Sequence, residues 1–190
     1  SPSRLINKKL EKKILDKIIN PTIKGLTELG TIYKGFLYVG LMIVNKEPYL
    51  IEYNVRMGDP ECQTILPKLK SDLLDIFMSC CNGKLKQTKI SWHNKKSLCV
   101  VLCSKGYPEK FKKNVAIKNL FKIRNNNNEY FYHAGTKIIK DEICSTGGRV
   151  LNFVCLSNSF KESRKKIFKT INKLNWNNGF FRKDIGHKVI

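Results

Sequence analysis

Long apolar runs are missing from this sequence: no stretch of 18 residues is free of polar side chains, and the chain does not open on a basic segment followed by an apolar core. The sequence therefore predicts neither a membrane-spanning helix nor an export signal. Arginine is scarce as well, with 6 Arg against 30 Lys, and arginine is the side chain that grips phosphates and guanine edges with two parallel hydrogen bonds. The formal charge of +21 would attract polyanions of any kind. Yet Lys rises together with 18 Asn and 20 Ile, as A/T-rich codon drift would produce, so the preferred reading is a drifted surface without a nucleic-acid partner. Histidines stand only at positions 93, 133 and 187, and the seven cysteines (62, 80, 81, 99, 103, 144, 155) are odd in number with no C-x-x-C among them. That spacing suits neither a disulfide framework nor a zinc site. Most of the thiols lie in apolar runs such as 77–81 and 97–103, where Cys behaves as a small hydrophobe, and the pattern points to a reducing cytoplasm.

What is present is enough to fold. Hydrophobic residues make up 42% of 190 residues, which can build one ordinary domain or two small ones. Leu10, Ile14, Leu15, Ile18 and Ile19 recur at helical spacing, and Ile23, Leu26 and Leu29 continue the stripe to Gly30 beyond a Pro21 that either restarts or kinks the helix. Residues 35–44 and 49–55 read as two strands joined by a turn at 45–48, a β-hairpin. Asp59-Pro60-Glu61 has the composition of a helix start, with Asp as cap and Glu facing the dipole. A further helix over 71–82 should bury Leu74, Phe77, Met78 and Cys81 and close at Gly83. The polar stretch 84–95 is the best boundary. Beyond it strands are predicted at 98–103, 130–133, 136–139 and 149–156, with an amphipathic helix over about 159–174 and an apolar tail at 179–186. The fold class is α+β.

The densest chemistry lies in Glu52-Tyr53-Asn54-Val55-Arg56-Met57-Gly58-Asp59-Pro60-Glu61. On a strand, Glu52, Asn54 and Arg56 would project together while Val55 points to the core. A carboxylate beside an amide oxygen suits a hard cation such as Mg²⁺, and an Arg one pleat on could neutralise phosphoryl oxygens or grip a carboxylate. Taken singly, each of these is more often plain surface or a helix cap. In the second half His133 and Thr136 flank a strand junction, and Gly147-Gly148-Arg149 feeds another. Structural roles are favoured there over a phosphate contact by Arg149, or by Arg182 with Asp184.

These segments, with Tyr33–Met42, Gln63-Thr64-Ile65-Leu66-Pro67, Leu69–Leu74, Ser104–Pro108, His133–Thr136, Thr146–Val150 and Arg182–Gly186 in order, closely resemble the glycinamide ribonucleotide synthetase family of ATP-grasp ligases. The resemblance implies ATP-driven joining of glycine to 5-phosphoribosylamine through a glycyl phosphate, in purine biosynthesis. It implies Mg²⁺ or Mn²⁺ held by Glu52 and Asn54, since 36–44 offers no further carboxylate. Arg56 would lie against the transferring phosphoryl group, and Arg56, Gly58, Asp59 and Glu61 would shape the substrate pocket. It further implies that 1–83 is the closing part of an ATP-grasp domain, 84–95 a linker and 96–190 the family's C-terminal domain. The resemblance begins mid-domain, so the expected partners are glycine, phosphoribosylamine, ATP and the missing N-terminal half in cis or trans, with no membrane. The rival readings are another ATP-grasp carboxylate–amine ligase and an inactive remnant that binds polyanions.

Overall fold

The computed structural model describes residues 1–3 and 5–190, with position 188 described by its backbone alone. It divides into two compact units. The first comprises Ser3–Asp59 with Leu69–Trp92, and the second comprises Ser1–Pro2, Pro60–Lys68 and His93–Ile190.

In the first unit, helix α1 (Lys8–Ile14) starts where the Asn7 side chain accepts from the Leu10 amide. It runs through a π-helical turn at Leu15–Ile19 into α2 (Asn20–Glu28), whose first turn holds Pro21. Proline lacks an N–H and crowds the carbonyl four residues back, and the wider turn absorbs both defects without breaking the helix. The Ile18 carbonyl just there is taken by Thr22 Oγ1 at 2.7 Å. Leu10, Ile14 and Ile18 are buried, but Leu15, Ile23 and Leu29 are exposed, contrary to a continuous buried stripe. The hairpin is β1 (Tyr38–Val44) against β2 (Glu47–Asn54), antiparallel, with a register shift at Gly40/Leu41. Asn45 and Lys46 both take positive φ (52° and 64°), the two-residue turn whose twist matches a hairpin. Glu47, at the start of β2, is bridged by Lys13 and Lys17 of the helix, the latter at 2.9 Å. Helix α4 (Leu73–Cys81) is capped by Asp72, which accepts from the Leu74 and Asp75 amides. The expectation of a buried face fails here: Leu74, Phe77, Met78 and Cys81 are exposed. Within this unit Phe77 of the helix meets Phe36 edge-on, and Lys34 Nζ donates to the Cys81 carbonyl at 2.5 Å.

The second unit is built on a four-stranded antiparallel sheet in the order β5 (Glu129–His133), β8 (Arg149–Ser157), β3 (Lys96–Ser104), β9 (Gly179–Phe180). A second sheet joins β4 (Val115–Ala116), β7 (Glu142–Ser145) and β6 (Thr136–Ile139). Strand β8 is buried along Val150–Ser157, so its sequence Val-Leu-Asn-Phe-Val-Cys-Leu, Asn152 apart, is apolar on both faces rather than alternating. Helix α5 (Phe160–Ile171), capped by Ser159 through the Glu162 amide, lays Phe160, Ile167 and Ile171 into the core beside Phe153 and Val100. Phe153 stacks on Phe131 at 6.2 Å. The apolar tail is anchored as its composition requires: Phe181, Ile185 and Val189 pack on the same core. The short helix α3 (Glu61–Ile65) also belongs to this unit, with Pro60, not Asp59, in the cap position. Burial pushes the Cys155 thiol up to about 11, as expected of an inert core thiol.

Two outcomes follow. Phe153→Ala should cost about 3–5 kcal/mol in urea denaturation, the usual loss for a buried aromatic. Hydrogen bonding to Lys13, then Lys17, holds the Glu47 carboxyl below its usual range, so its stabilising effect exists above that range and disappears as pH falls through the folded-state value. Glu47→Gln should lower the urea midpoint at pH 7, and the difference from the parent should shrink on acidification.

Candidate functional site

Strand β2 delivers Glu52 and Asn54 to one face of the hairpin, because residues two apart on a strand share a side. In register they stand opposite Gly40 and Tyr38. The two side chains are in contact: Asn54 Nδ2 donates to Glu52 Oε1 at 3.0 Å. That bond fixes the carboxylate and leaves Glu52 Oε2 and Asn54 Oδ1 as further oxygen donors. Gly40 is what makes room for it. A Cβ at position 40 would stand 2.9 Å from Glu52 Cγ and 3.4 Å from the Glu52 carbonyl oxygen, so any side chain at 40 must displace the carboxylate's own stem.

The strand ends at Asn54, and the alternation expected of Arg56 and Val55 ends with it. Val55 is 72% exposed rather than turned to a core. Arg56 lies in the bend that follows, where its Nη1 donates to the Met57 carbonyl at 3.2 Å. The chain thus brings Glu52 and Asn54 together and places Arg56 two residues beyond the strand, its guanidinium on local backbone. Gly58 and Asp59 end the first unit's segment, and Glu61 opens α3 in the second unit. No cluster of three or more His, Cys, Asp or Glu side chains suited to a metal occurs among the described residues. A cation at Glu52 and Asn54 would have to complete its shell with water and ligand oxygens, which is the habit of Mg²⁺.

In the second unit the segments quoted above converge at one end of the main sheet. Ser104 closes β3, donating its amide to the Gly148 carbonyl and its hydroxyl to the Gly147 carbonyl, both at 2.8 Å. The Thr146 amide donates to the Gly135 carbonyl at 2.7 Å, and the Gly135 and Ala134 amides reach the Val150 carbonyl. Gly135 and Gly147 touch backbone to backbone: a Cβ on Gly135 would meet Gly147 Cα at 2.8 Å. His133 Nδ1 pairs with Thr136 Oγ1 at 2.7 Å across the turn. Arg182 is committed to Asp184 through two hydrogen bonds, at 3.1 and 2.5 Å. Periodicity did not reveal this convergence, because the signal is tertiary: three glycine-bearing turns meeting at strand ends.

Comparison with known proteins identifies the architecture. A hairpin ending in Glu-x-Asn, followed by this strand-rich unit, is the closing portion of an ATP-grasp protein and its C-terminal domain. The family profile described as Phosphoribosylglycinamide synthetase, ATP-grasp (A) domain, matches residues 1–62, and that described as Phosphoribosylglycinamide synthetase, C domain, matches 97–188. The Phosphoribosylamine–glycine ligase of Caldanaerobacter subterraneus is 41% identical over 97% of this chain, and the chloroplastic enzyme of that name from Arabidopsis thaliana is 38% identical over 100%. The crystal structure of Phosphoribosylamine–glycine ligase from Thermotoga maritima superposes with a TM-score of 0.83 at 28% identity, covering 97% of this chain and 45% of its own. The chain covers 44% of the Caldanaerobacter protein and 36% of the Arabidopsis one, so it spans less than half the length of these relatives. This chain belongs to the phosphoribosylglycinamide synthetase family.

Gly40→Ala should shift the Glu52 side chain and break its bond with Asn54. The Asn54 side-chain amide resonances would then move in an NMR spectrum while those of β8 stay in place. Unchanged Asn54 resonances would show that the close approach does not matter.

Proposed function

We propose that this chain supplies the metal-binding strand and the C-terminal domain of an ATP-dependent ligase that joins glycine to 5-phosphoribosylamine, giving glycinamide ribonucleotide, ADP and phosphate through a glycyl phosphate. The observation that carries the reading is the Glu52–Asn54 pair, set beside Gly40 at the end of a hairpin strand in a chain that both profiles of the family match in order. The rest of the ligase, its N-terminal half, would be provided in cis or in trans.

In this reading Glu52 and Asn54 hold Mg²⁺ or Mn²⁺ through a carboxylate and an amide oxygen, hard donors that suit either ion. When bound, the ion would supply charge neutralisation for phosphoryl transfer. The chain's own part is positioning. Asn54 keeps the Glu52 carboxylate in one orientation, and Gly40 leaves its stem unobstructed. Arg56, exposed and with its Nη1 on the Met57 carbonyl, can swing from that carbonyl to the phosphoryl oxygens of the transferring group, where a guanidinium stabilises developing charge. Gly58, Asp59 and Glu61 are assigned to the substrate pocket. The domain division 1–83, 84–95 and 96–190 belongs to the same proposal. The cut between Trp92 and His93 falls inside the assigned linker, and residues 60–68 are an excursion that packs with the second unit. A cytoplasmic location fits the buried thiols Cys103, Cys144 and Cys155 and the lack, among the described residues, of a helix long and apolar enough to cross a membrane.

In the complete enzyme, Glu52→Ala should abolish ADP release that depends on glycine and phosphoribosylamine while leaving the melting temperature within about a degree or two of the parent, as a surface substitution should. A fully active Glu52→Ala enzyme would refute the metal assignment.

A further inference from the structure

Glu52 and Asn54 occupy the closing residues of β2, and the strand ends at Asn54. A two-stranded hairpin is marginal by itself, and chain ends without packing are the first to fray. The hydrogen bond from Asn54 to Glu52 therefore needs a strand end that is held in place. Tyr53 stands between the two, so its side chain leaves the opposite face of the hairpin. It is half-buried, and its hydroxyl meets two groups of the neighbouring helix, the Thr22 hydroxyl and the Ile18 carbonyl, the latter at 3.4 Å. Thr22 Oγ1 already gives its proton to that carbonyl at 2.7 Å, so in the tyrosine–threonine pair Tyr53 is the donor.

The helix meets Tyr53 at Thr22 because of its π-helical turn. Leu10, Ile14 and Ile18 form a buried stripe with a step of four residues, and the half-buried Thr22 is the next step. In a regular α-helix each such step drifts by about 40°, so Thr22 would stand about 120° round from Leu10. The turn over Leu15–Ile19, closed by the Asn20 amide on the Leu15 carbonyl, takes in one extra residue and winds most of that drift back. Thr22 thus returns to the stripe. The same helix holds the other end of β2, where Lys13 and Lys17 bridge Glu47. The strand is pinned at its first residue and at its last but one, and the second pin falls between the two oxygen donors of the candidate site.

We propose that Tyr53 and Thr22 are positioning residues of the Glu52–Asn54 pair: their hydroxyl contact, phased by the π-helical turn, keeps the end of β2 from fraying and so holds the carboxylate and the amide oxygen together for a cation. Tyr53 projects away from the pair and acts through the strand, not by ligation. The grip on the strand stands on geometry alone, and its consequence for a cation rests on the reading of Glu52 and Asn54 given above. The hydroxyls can be separated from the packing, because Tyr53→Phe keeps the ring and Thr22→Val keeps the branched shape.

The probe is Mn²⁺, titrated into the 190-residue chain and followed by the electron paramagnetic resonance of the free ion, alongside NMR spectra of the Asn54 side-chain amide. With circular dichroism unchanged, Tyr53→Phe and Thr22→Val should each move the Asn54 side-chain resonances and weaken Mn²⁺ binding about three- to ten-fold, the scale set by one hydrogen bond. The double variant should be no weaker than either single one, since both break the same contact. Thr22→Ser, which keeps the hydroxyl, should retain the parent's values on both readouts. Thr27→Val is the control: it removes a like hydroxyl bond, to the Ile23 carbonyl at 3.0 Å on the same helix, and should change neither readout. A lower urea midpoint with unmoved Asn54 resonances would overturn the proposal, and so would an equal shift in Thr27→Val. If Glu52 and Asn54 hold no cation, Glu52→Ala will bind Mn²⁺ as tightly as the parent, and the Asn54 resonances will still decide whether the two hydroxyls hold the strand end.

Discussion

Strand β8 has no face turned to water. Its residues from Val150 to Ser157 are all buried, and that burial dictates what surrounds them. Two neighbouring strands are needed to pair both edges, and β3 and β5 supply them. A helix is needed over one face, and the amphipathic α5 follows β8 after a two-residue link that contains its own Ser cap. The chain's final segment is drawn onto the same core through Phe181, Ile185 and Val189. Anchoring β8 at its first residues also brings the turns at 134–135 and 146–148 together. The tightness of that meeting, glycine backbone against glycine backbone, is therefore a consequence of the core and not a separate invention.

The candidate site rests on the opposite kind of economy. A two-stranded hairpin offers little burial, so the orientation of Glu52 cannot come from packing. It comes instead from a hydrogen bond along the strand and from an absent side chain across it. An amide donor two residues away and a glycine in register are enough to give a half-exposed carboxylate a defined stance. Functional constellations on thin scaffolds depend on such local devices.

Much of this was legible in the sequence, and the exceptions have physical causes. The hairpin, the strands flanking the Asn-rich loop, α5 and the family itself could all be read, because each rests on local chemistry or on long ordered motifs. The π-helical passage over Pro21 could not be read, since it is a compromise between a missing N–H and a helix that tertiary contacts keep continuous. Alternation turns Val55 inward and sets Arg56 beside Asn54, but the strand ends at Asn54 and the alternation with it. The inward face assigned to α4 was wrong for a different reason: periodicity shows that a stripe exists but not that anything covers it. Strand β7 and the short β4 and β9 leave no signal in the sequence because two to four residues carry too little pattern.

The sheet formed by β1 and β2 has two edges and, among the described residues, no third strand. It therefore presents unpaired backbone groups on both sides, with Met42, Tyr49, Leu50 and Ile51 exposed along its length. An isolated hairpin of this composition is a template for further strands. Pro48, which cannot donate, and the charged Lys46–Glu47 end blunt one region of it, while the Glu52–Asn54 end has no such guard. In handling terms, the open edges make concentration a variable to control alongside the melting of the β8 core, with the chain's net charge of +21 working to keep the molecules apart.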